Sequence, residues 1–246
     1  MIRVGVGGWI FPPWRGTFYP PGLPQARELG WMARQLTAVE VNATFYRRQS
    51  PETFARWRNE TPDGFVFALK GGRVYTQRKR LAEAGESVTR FVGQGIVELG
   101  DKLGPILWQL PETKAFEPDD LAAFLALLPC AHRGLPLRHA IEARHPSFAD
   151  PAFSALCREA GVAAAHIEAE GEPLPDQPTP AFAYARIKRA TKRLKAGYPA
   201  AELDRIAALA RDWAHGGREA FVFFIGADKV RNPAAARDLL GRVNAA

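Results

Sequence analysis

A chain of 246 residues with 47% apolar and 24% charged side chains can bury one substantial core, which excludes a disordered tail or a disulfide-stapled miniature. Its two cysteines, Cys130 and Cys157, sit in or beside helical patterns without metal-ligand spacing, so both read as core thiols in a reducing compartment. The net charge of +7 raises the expectation of an anionic partner, from phosphorylated metabolite to nucleic acid, although a solvated Arg-rich surface accounts for it as well.

A first strand over 3–7 opens the chain and runs into Gly7-Gly8-Trp9 and a long aromatic loop. That start leaves no room for a cleavable leader, and no apolar run reaches membrane-spanning length, so a cytoplasmic protein without a membrane partner is expected. A helix over 24–35 follows, then strand two over 38–42, a helix over 51–60 with Ser50 as cap before Pro51, and strand three over 66–70. Helices over 83–99 and 119–128 flank strand four, 105–109, and strand five covers 139–143. Asp150 before Pro151 starts a helix over 151–160, ahead of strand six over 163–167. The next crossover, 171–180, holds four prolines and little helical periodicity, so its helix is expected to be reduced or missing. Strand seven over 183–187, a helix over 199–214, strand eight over 221–225 and a helix over 233–243, capped by Asn232 before Pro233, complete the series. Eight strands alternating with helices predict an α/β fold with a parallel sheet. The count suits a single (β/α)8 TIM-like barrel, one domain over residues 1–246.

Strand parity then nominates a site. In a barrel, alternate residues face the interior and the helices. Val39 and Val41 suit the helix side, which turns Glu40 and Asn42 inward; Ile141 and Ala143 do the same for Glu142 and then Arg144. The same logic sends Lys70, Gln109, Tyr184 and Arg186 inward near the carboxyl ends of their strands, where barrel enzymes carry their sites. His166 joins them on weaker grounds, because its strand is mostly alanine. Glu40, Glu142 and Lys70 are the candidate catalytic groups, with Glu40 or Glu142 as the base, Lys70, Arg144 and Arg186 as charge clamps and Asn42 and Gln109 as hydrogen-bonding orienters. A buried ion-pair network that orders the barrel top explains the same residues structurally. A glycosidase-like carboxylate pair is a third reading, opposed by the cations beside both acids, which favour their ionised forms.

No metal is predicted, since no HxH or HExxH spacing joins His145 or His166 to a second ligand; a centre of Glu40, Glu142 and His166 is the form a divalent metal would take. No cofactor is predicted either. His145, before Pro146, is a ligand contact or a turn-stabilising imidazole. Trp9 and Tyr46 directly follow strands and are expected to line the opening and stack on a sugar or base, whereas Phe18 and Phe45 read as packing. After strand seven comes the basic run Arg186-Ile187-Lys188-Arg189. After strand eight come Lys229 and Arg231, ahead of the helix that opens at Pro233. Barrels often hold phosphate there, so Lys188, Lys229 and Arg231 are candidate anion ligands, against the alternative of a solvated loop.

The N-terminal motifs also resemble a known family. Gly7-Gly8-Trp9, Trp14-Arg15-Gly16, Phe18-Tyr19-Pro20, Val39-Glu40-Val41-Asn42, Thr44-Phe45-Tyr46, Ser50-Pro51-Glu52-Thr53-Phe54, Gln109-Leu110-Pro111 and Glu142-Ala143-Arg144-His145-Pro146-Ser147 appear in the order of the YecE-like family, domain of unknown function 72. The resemblance implies a (β/α) barrel and supplies no settled activity. It weakens in the C-terminal half. The family's seventh strand usually runs Arg-x-His-Gly, its eighth ends in Phe-Asn-Asn and its sixth often ends in Asp. Here these read Arg186-Ile187-Lys188-Arg189, Phe223-Phe224-Ile225-Gly226 and His166-Ile167-Glu168. An altered substrate or a lost activity would follow from such rewriting.

The expectation is therefore an enzyme acting on a small anionic or sugar-containing molecule, its class open among hydrolase, lyase and isomerase. The alternative is a nucleic-acid-binding or nucleic-acid-processing barrel, or a non-catalytic binding protein, using the basic loops. Neither oligomeric state nor substrate is encoded legibly.

Overall fold

The computed structural model describes residues 1–168, 182–226 and 228–245. Parallel strands β1 (Ile2–Gly7), β2 (Ala38–Val41), β3 (Val66–Lys70), β4 (Leu103–Gln109) and β5 (His139–Glu142) lie side by side in chain order. The expected sixth strand is broken into β6 (Ala163–Ala164) and β7 (His166–Glu168), and β8 (Phe182–Ile187) and β9 (Glu219–Phe224) follow. The sheet order is β6-β5-β4-β3-β2-β1-β9-β8-β7. Its two ends are thus the halves of one strand, separated in the chain by Ala165. Among the described residues the α/β barrel is nearly closed and is interrupted there, in an alanine run with little side chain to lock a register.

Two apolar layers follow from the alternation of side chains along each strand. Ala38, Val66, Ala68, Leu107, Ala140, Ala163, Phe182, Phe221 and Phe223 fill the interior. Val4, Val39, Val41, Phe67, Ile106, Trp108, Ile141 and Val222 face outward into the layer shared with the helices. At the amino end, Glu219 pairs with Arg3 and Arg138, and the Arg138 guanidinium sits 5.1 Å from the Phe221 ring centroid. Polar side chains thus bound the apolar interior at this end, and a second set does so at the other.

Apart from two four-residue helices, Ala43–Tyr46 and Arg73–Thr76, the described helices are α1 (Glu28–Met32), α2 (Pro51–Asn59), α3 (Gly85–Val92), α4 (Pro118–Ala126), α5 (Pro151–Glu159), α6 (Ala200–Ala214) and α7 (Asn232–Asn244). Ser50 Oγ accepts from Thr53 N and Asp150 Oδ1 from Ala152 N, the two caps read from sequence. Asn232 corrects the third: it is the first residue of α7, and Arg231 occupies the cap position without a side-chain cap bond. The long helix expected over 83–99 ends early, because Gly95 takes φ 109° and hands over to a 3-10 segment, Ile96–Lys102. The short first helix needs a 3-10 turn, Gln25–Arg27, to enter it. Cys157 is buried, but Cys130 is exposed in the turn beyond α4, so only one thiol belongs to the core. The Pro-rich crossover 171–180 lies outside the described residues. Among those described, no helix is long and apolar enough to cross a membrane.

Candidate functional site

Glu40 on β2 and Glu142 on β5 turn into the barrel and are fully buried. Arg186 on β8 reaches both. Its Nε and Nη2 donate to Glu40 Oε2 and Oε1 at 2.9 and 3.0 Å, and its Nη1 donates to Glu142 Oε2. Tyr184, on the same strand and face, donates its hydroxyl to Glu40 Oε2 at 2.8 Å. Glu142 Oε1 accepts from Gln109 Nε2 at 2.9 Å, Arg144 Nε at 2.7 Å and Lys188 Nζ at 3.5 Å. One guanidinium therefore clamps two carboxylates across the barrel, satisfying charges that burial would otherwise penalise.

The electrostatics follow from this wiring. Burial alone would raise the Glu142 carboxyl. Arg186, then Lys188 and Arg144, override it and hold the group at about 2. Glu142 thus stays ionised and offers no proton as a general acid, which removes the glycosidase-like role for it. Burial opposes the charge on Arg186, but Glu142 and Glu40 raise its pKa nonetheless. Burial, then Glu40, pushes the Tyr184 hydroxyl well above its usual range.

Lys70 behaves differently. It ends β3 and is only 6% exposed, with Nζ 4.2 Å from the Phe45 ring centroid. Thr44 Oγ1 donates to Lys70 O at 2.8 Å, which ties the short helix Ala43–Tyr46 to the end of β3 and brings Phe45 over the amine. Burial lowers the Lys70 pKa to about 8; Glu40 pulls it up and Arg186 pushes it further down. A cavity of about 370 Å³ opens alongside, lined by Phe45, Gln109, Glu112 and Arg144, with Glu112 accepting from Arg144 Nη1 at 2.9 Å. Neither Phe45 nor Glu112 is legible in the sequence as part of a cavity: Phe45 reads there as packing, and Glu112 is a loop carboxylate with no motif to mark it.

Other expected residues stand apart. Asn42 is half-buried beside Gly7, its Nδ2 close to where a Cβ there would lie. Tyr46 is 70% exposed, and its ring meets that of Phe45 edge-on. Trp9 packs edge-on against Trp57 at 5.1 Å and lines a different groove, of about 520 Å³, with Arg47, Gln49 and Arg56. The two aromatics therefore do not share one opening, because the loop after β1 leans over α2. His145 Nδ1 accepts from Ser147 N at 3.2 Å, the turn-stabilising role.

The proposed phosphate trio also diverges. Lys188 is drawn to Glu142, Lys229 Nζ lies 5.7 Å from the Phe11 ring centroid, and Arg231 donates to Lys192 O. His166 corrects the inward assignment. Ala163 and Ala165 fill the interior, so His166 faces the helices and stacks on Trp213 of α6 at 4.5 Å, far in direction from the two acids. Among the described residues no group of three or more His, Cys, Asp or Glu could hold a metal ion.

A second titrating pair lies on that outer face. Glu168 and Glu202 both bind Arg205, and burial, then Glu202, holds the Glu168 carboxyl well above the ordinary range. A carboxyl raised in the folded state stabilises below its unfolded pKa and loses that contribution as pH rises toward neutrality. Glu168→Gln should therefore gain about 1 kcal/mol over the parent near pH 8 and almost nothing near pH 5. Urea unfolding at both pH values checks this, and an equal effect at both would reject it.

Comparison with known proteins agrees with this architecture. A DUF72 family protein from Thermotoga maritima superposes with TM-score 0.77 at 24% identity, covering 98% of this chain and 97% of that one. A second, from Enterococcus faecalis, gives 0.75 at 18% identity over 99% of this chain and 96% of that one. A xylose isomerase-like TIM barrel/4-hydroxyphenylpyruvate dioxygenase fusion protein shares the barrel fold, with TM-score 0.56 at 16% identity over 96% of this chain and 41% of that one. In sequence, the Escherichia coli K12 protein YecE is 32% identical over 151 residues, covering 60% of this chain and 50% of YecE. YunF of Bacillus subtilis is 27% identical over 158 residues, covering 62% and 54%. The matched region spans about half the length of these curated relatives. The profile described as "Protein of unknown function DUF72" matches residues 3–246, and the chain belongs to that family.

Proposed function

We propose that this barrel is an enzyme that binds a small anionic molecule, sugar-containing ones included, at the carboxyl end of the strands. The carrying observation is a cluster of cations. Four basic side chains, Lys70, Arg144, Arg186 and Lys188, gather around the carboxylates Glu40, Glu142 and Glu112. Clustered cations that keep some exposure attract an anion. Arg144 and Lys188 are its best ligands, since their side chains remain 21% and 15% exposed while Arg186 is sealed between the acids. Gln109 bonds Glu142 through Nε2, which leaves its Oε1 to orient a substrate hydroxyl. Glu142, held at about 2, is a weak base, whereas Lys70, whose lowered pKa leaves a neutral fraction near neutral pH, is the better matched group for proton transfer. A base of that kind suits a lyase or isomerase better than a hydrolase.

Calorimetric titration with oxalate and with inorganic phosphate tests the reading. Binding to the parent is expected, weakened at least about tenfold in Arg144→Ala or Lys188→Ala, as the loss of one charged hydrogen bond implies. No binding, or equal binding in both variants, would defeat it.

A nucleic-acid reading keeps one observation in its favour: Arg189, Lys192, Arg193 and Lys195 are all exposed in one loop. A steep fall of oligonucleotide affinity with salt, lost on neutralising that loop, would favour it over the small-molecule site.

A further inference from the structure

Among the described residues three lysines are buried, and two of them are fully committed. Lys102 Nζ donates to Arg58 O at 2.8 Å, Thr61 O at 2.7 Å and Thr61 Oγ1 at 3.3 Å. Lys114 Nζ donates to Lys79 O at 2.8 Å, Glu117 at 3.2 Å and Asp120 at 2.7 Å. That is how a fold accommodates a buried ammonium, with each of its three donors used. Lys70 is as buried as they are, yet among the described residues its Nζ makes no hydrogen bond and no ion pair. Its close neighbour is the face of Phe45, which attracts the charged form only modestly, by about 0.5–2 kcal/mol. The two carboxylates that could have paired with it are occupied by Arg186 and its neighbours. The amine ends a barrel strand and lies under Phe45, whose ring also lines the cavity holding Gln109 and Arg144.

We propose that Lys70 is a nucleophile that forms an imine with a carbonyl compound carrying an anionic group. This assignment rests on the reading of the barrel mouth as a small-anion site and names the substrate class. The burial that leaves the amine partnerless also favours its uncharged, nucleophilic form. The Nζ lone pair adds to the carbonyl carbon, and the carbonyl oxygen, protonated, becomes the hydroxyl of a carbinolamine. That oxygen then departs as water with both amine hydrogens, and a C=N bond replaces C=O. No electrons are exchanged with a third party. Protonated from solvent, the imine becomes a cation beside the Glu40 and Glu142 carboxylates, and it acidifies the adjacent C–H or weakens the adjacent C–C bond. The anionic group of the substrate meets Arg144 and Lys188, which places the carbonyl rather than the charge at Lys70. Lyase and isomerase chemistry both follow from such an intermediate.

Reductive trapping tests this directly. The intact protein is incubated near pH 7.5 with glyoxylate and sodium cyanoborohydride, which reduces an imine to carboxymethyl-lysine, and each lysine is followed by peptide mass spectrometry. Lys70 should be modified at least about ten times faster than the exposed Lys79, Lys192, Lys195 and Lys229, because a larger fraction of it is neutral. Excess inorganic phosphate should slow Lys70 and leave the exposed lysines unchanged. Modification of Lys70 no faster than the exposed lysines overturns the imine assignment, and if oxalate still binds, the anion site stands without it. Fast modification that phosphate does not slow supports the nucleophile and overturns the requirement for an anionic group.

Discussion

Replacing Arg186 with Met is expected to destabilise the protein by about 3–5 kcal/mol, because the side chain that remains leaves two fully buried carboxylates without their shared cation. For a chain of this size that corresponds to a fall of roughly 6–20 °C in Tm. Tyr184 still donates to Glu40, and Gln109, Arg144 and Lys188 still reach Glu142, so Glu40 bears most of the loss. Adding Glu40→Gln to Arg186→Met should therefore recover part of it, since a neutral amide costs less to bury than an unpaired carboxylate. The acid limb carries the same signature. Glu142 is depressed to about 2 from an ordinary 4.5, so its contribution is present above the unfolded value and is lost as pH falls through the folded one. Glu142→Gln should flatten the stability profile between those values. A loss under about 1 kcal/mol for Arg186→Met, by urea unfolding, would mean the carboxylates are solvated and the clamp is no clamp.

Gly5→Ala should cost several kcal/mol, at or beyond the about 1–3 kcal/mol of ordinary overpacking. Gly5 pairs with Ala38 on β2 and with Phe223 on β9, and a Cβ at this inward position would run into the Ala38 carbonyl oxygen and press on the Phe223 ring. The obstacle is backbone. It cannot swing aside as a flexible side chain would, and moving it breaks the β1–β2 ladder whose end carries Glu40. Loss of stability should thus come with loss of anion binding at the mouth. Gly241→Ala is the control, since a Cβ there meets nothing and removes a helix-interior glycine, so it should be neutral or slightly stabilising. Equal melting temperatures for Gly5→Ala and the parent would show that the interior has slack it lacks here.

Legibility of the chain followed the contrast between its two faces. In β2, Val39 and Val41 against Glu40 mark inside from outside without ambiguity, and the barrel places them so. Ile141 does the same for Glu142. Where both faces are alanine, from Ala163 to Ala165, parity carries no information. There the strand breaks and His166 faces the helices. Long cations were illegible for another reason. Lys188, Lys229 and Arg231 follow neighbouring strands, but each side chain has several rotatable bonds and goes to whatever local partner is strongest: a buried carboxylate, an aromatic face, a carbonyl. The clamp itself joins positions 146 and 44 residues apart, a pairing that only the closed barrel creates. Lys70 could be placed inward from its strand, but its want of a partner is a fact of packing, set by the Thr44 bond that holds Phe45 above it.

The proposed anion site at the mouth of this barrel is built from Arg144 and Lys188 over the Arg186 clamp. Diffraction from a crystal soaked in selenate, with data at the selenium edge, measures that most directly. An anomalous peak is expected at the carboxyl end of the strands, within hydrogen-bond reach of the Arg144 guanidinium and Lys188 Nζ, and it should disappear in Lys188→Ala. Peaks confined to the exposed loop of Arg189, Lys192 and Arg193, with the mouth empty, would contradict it.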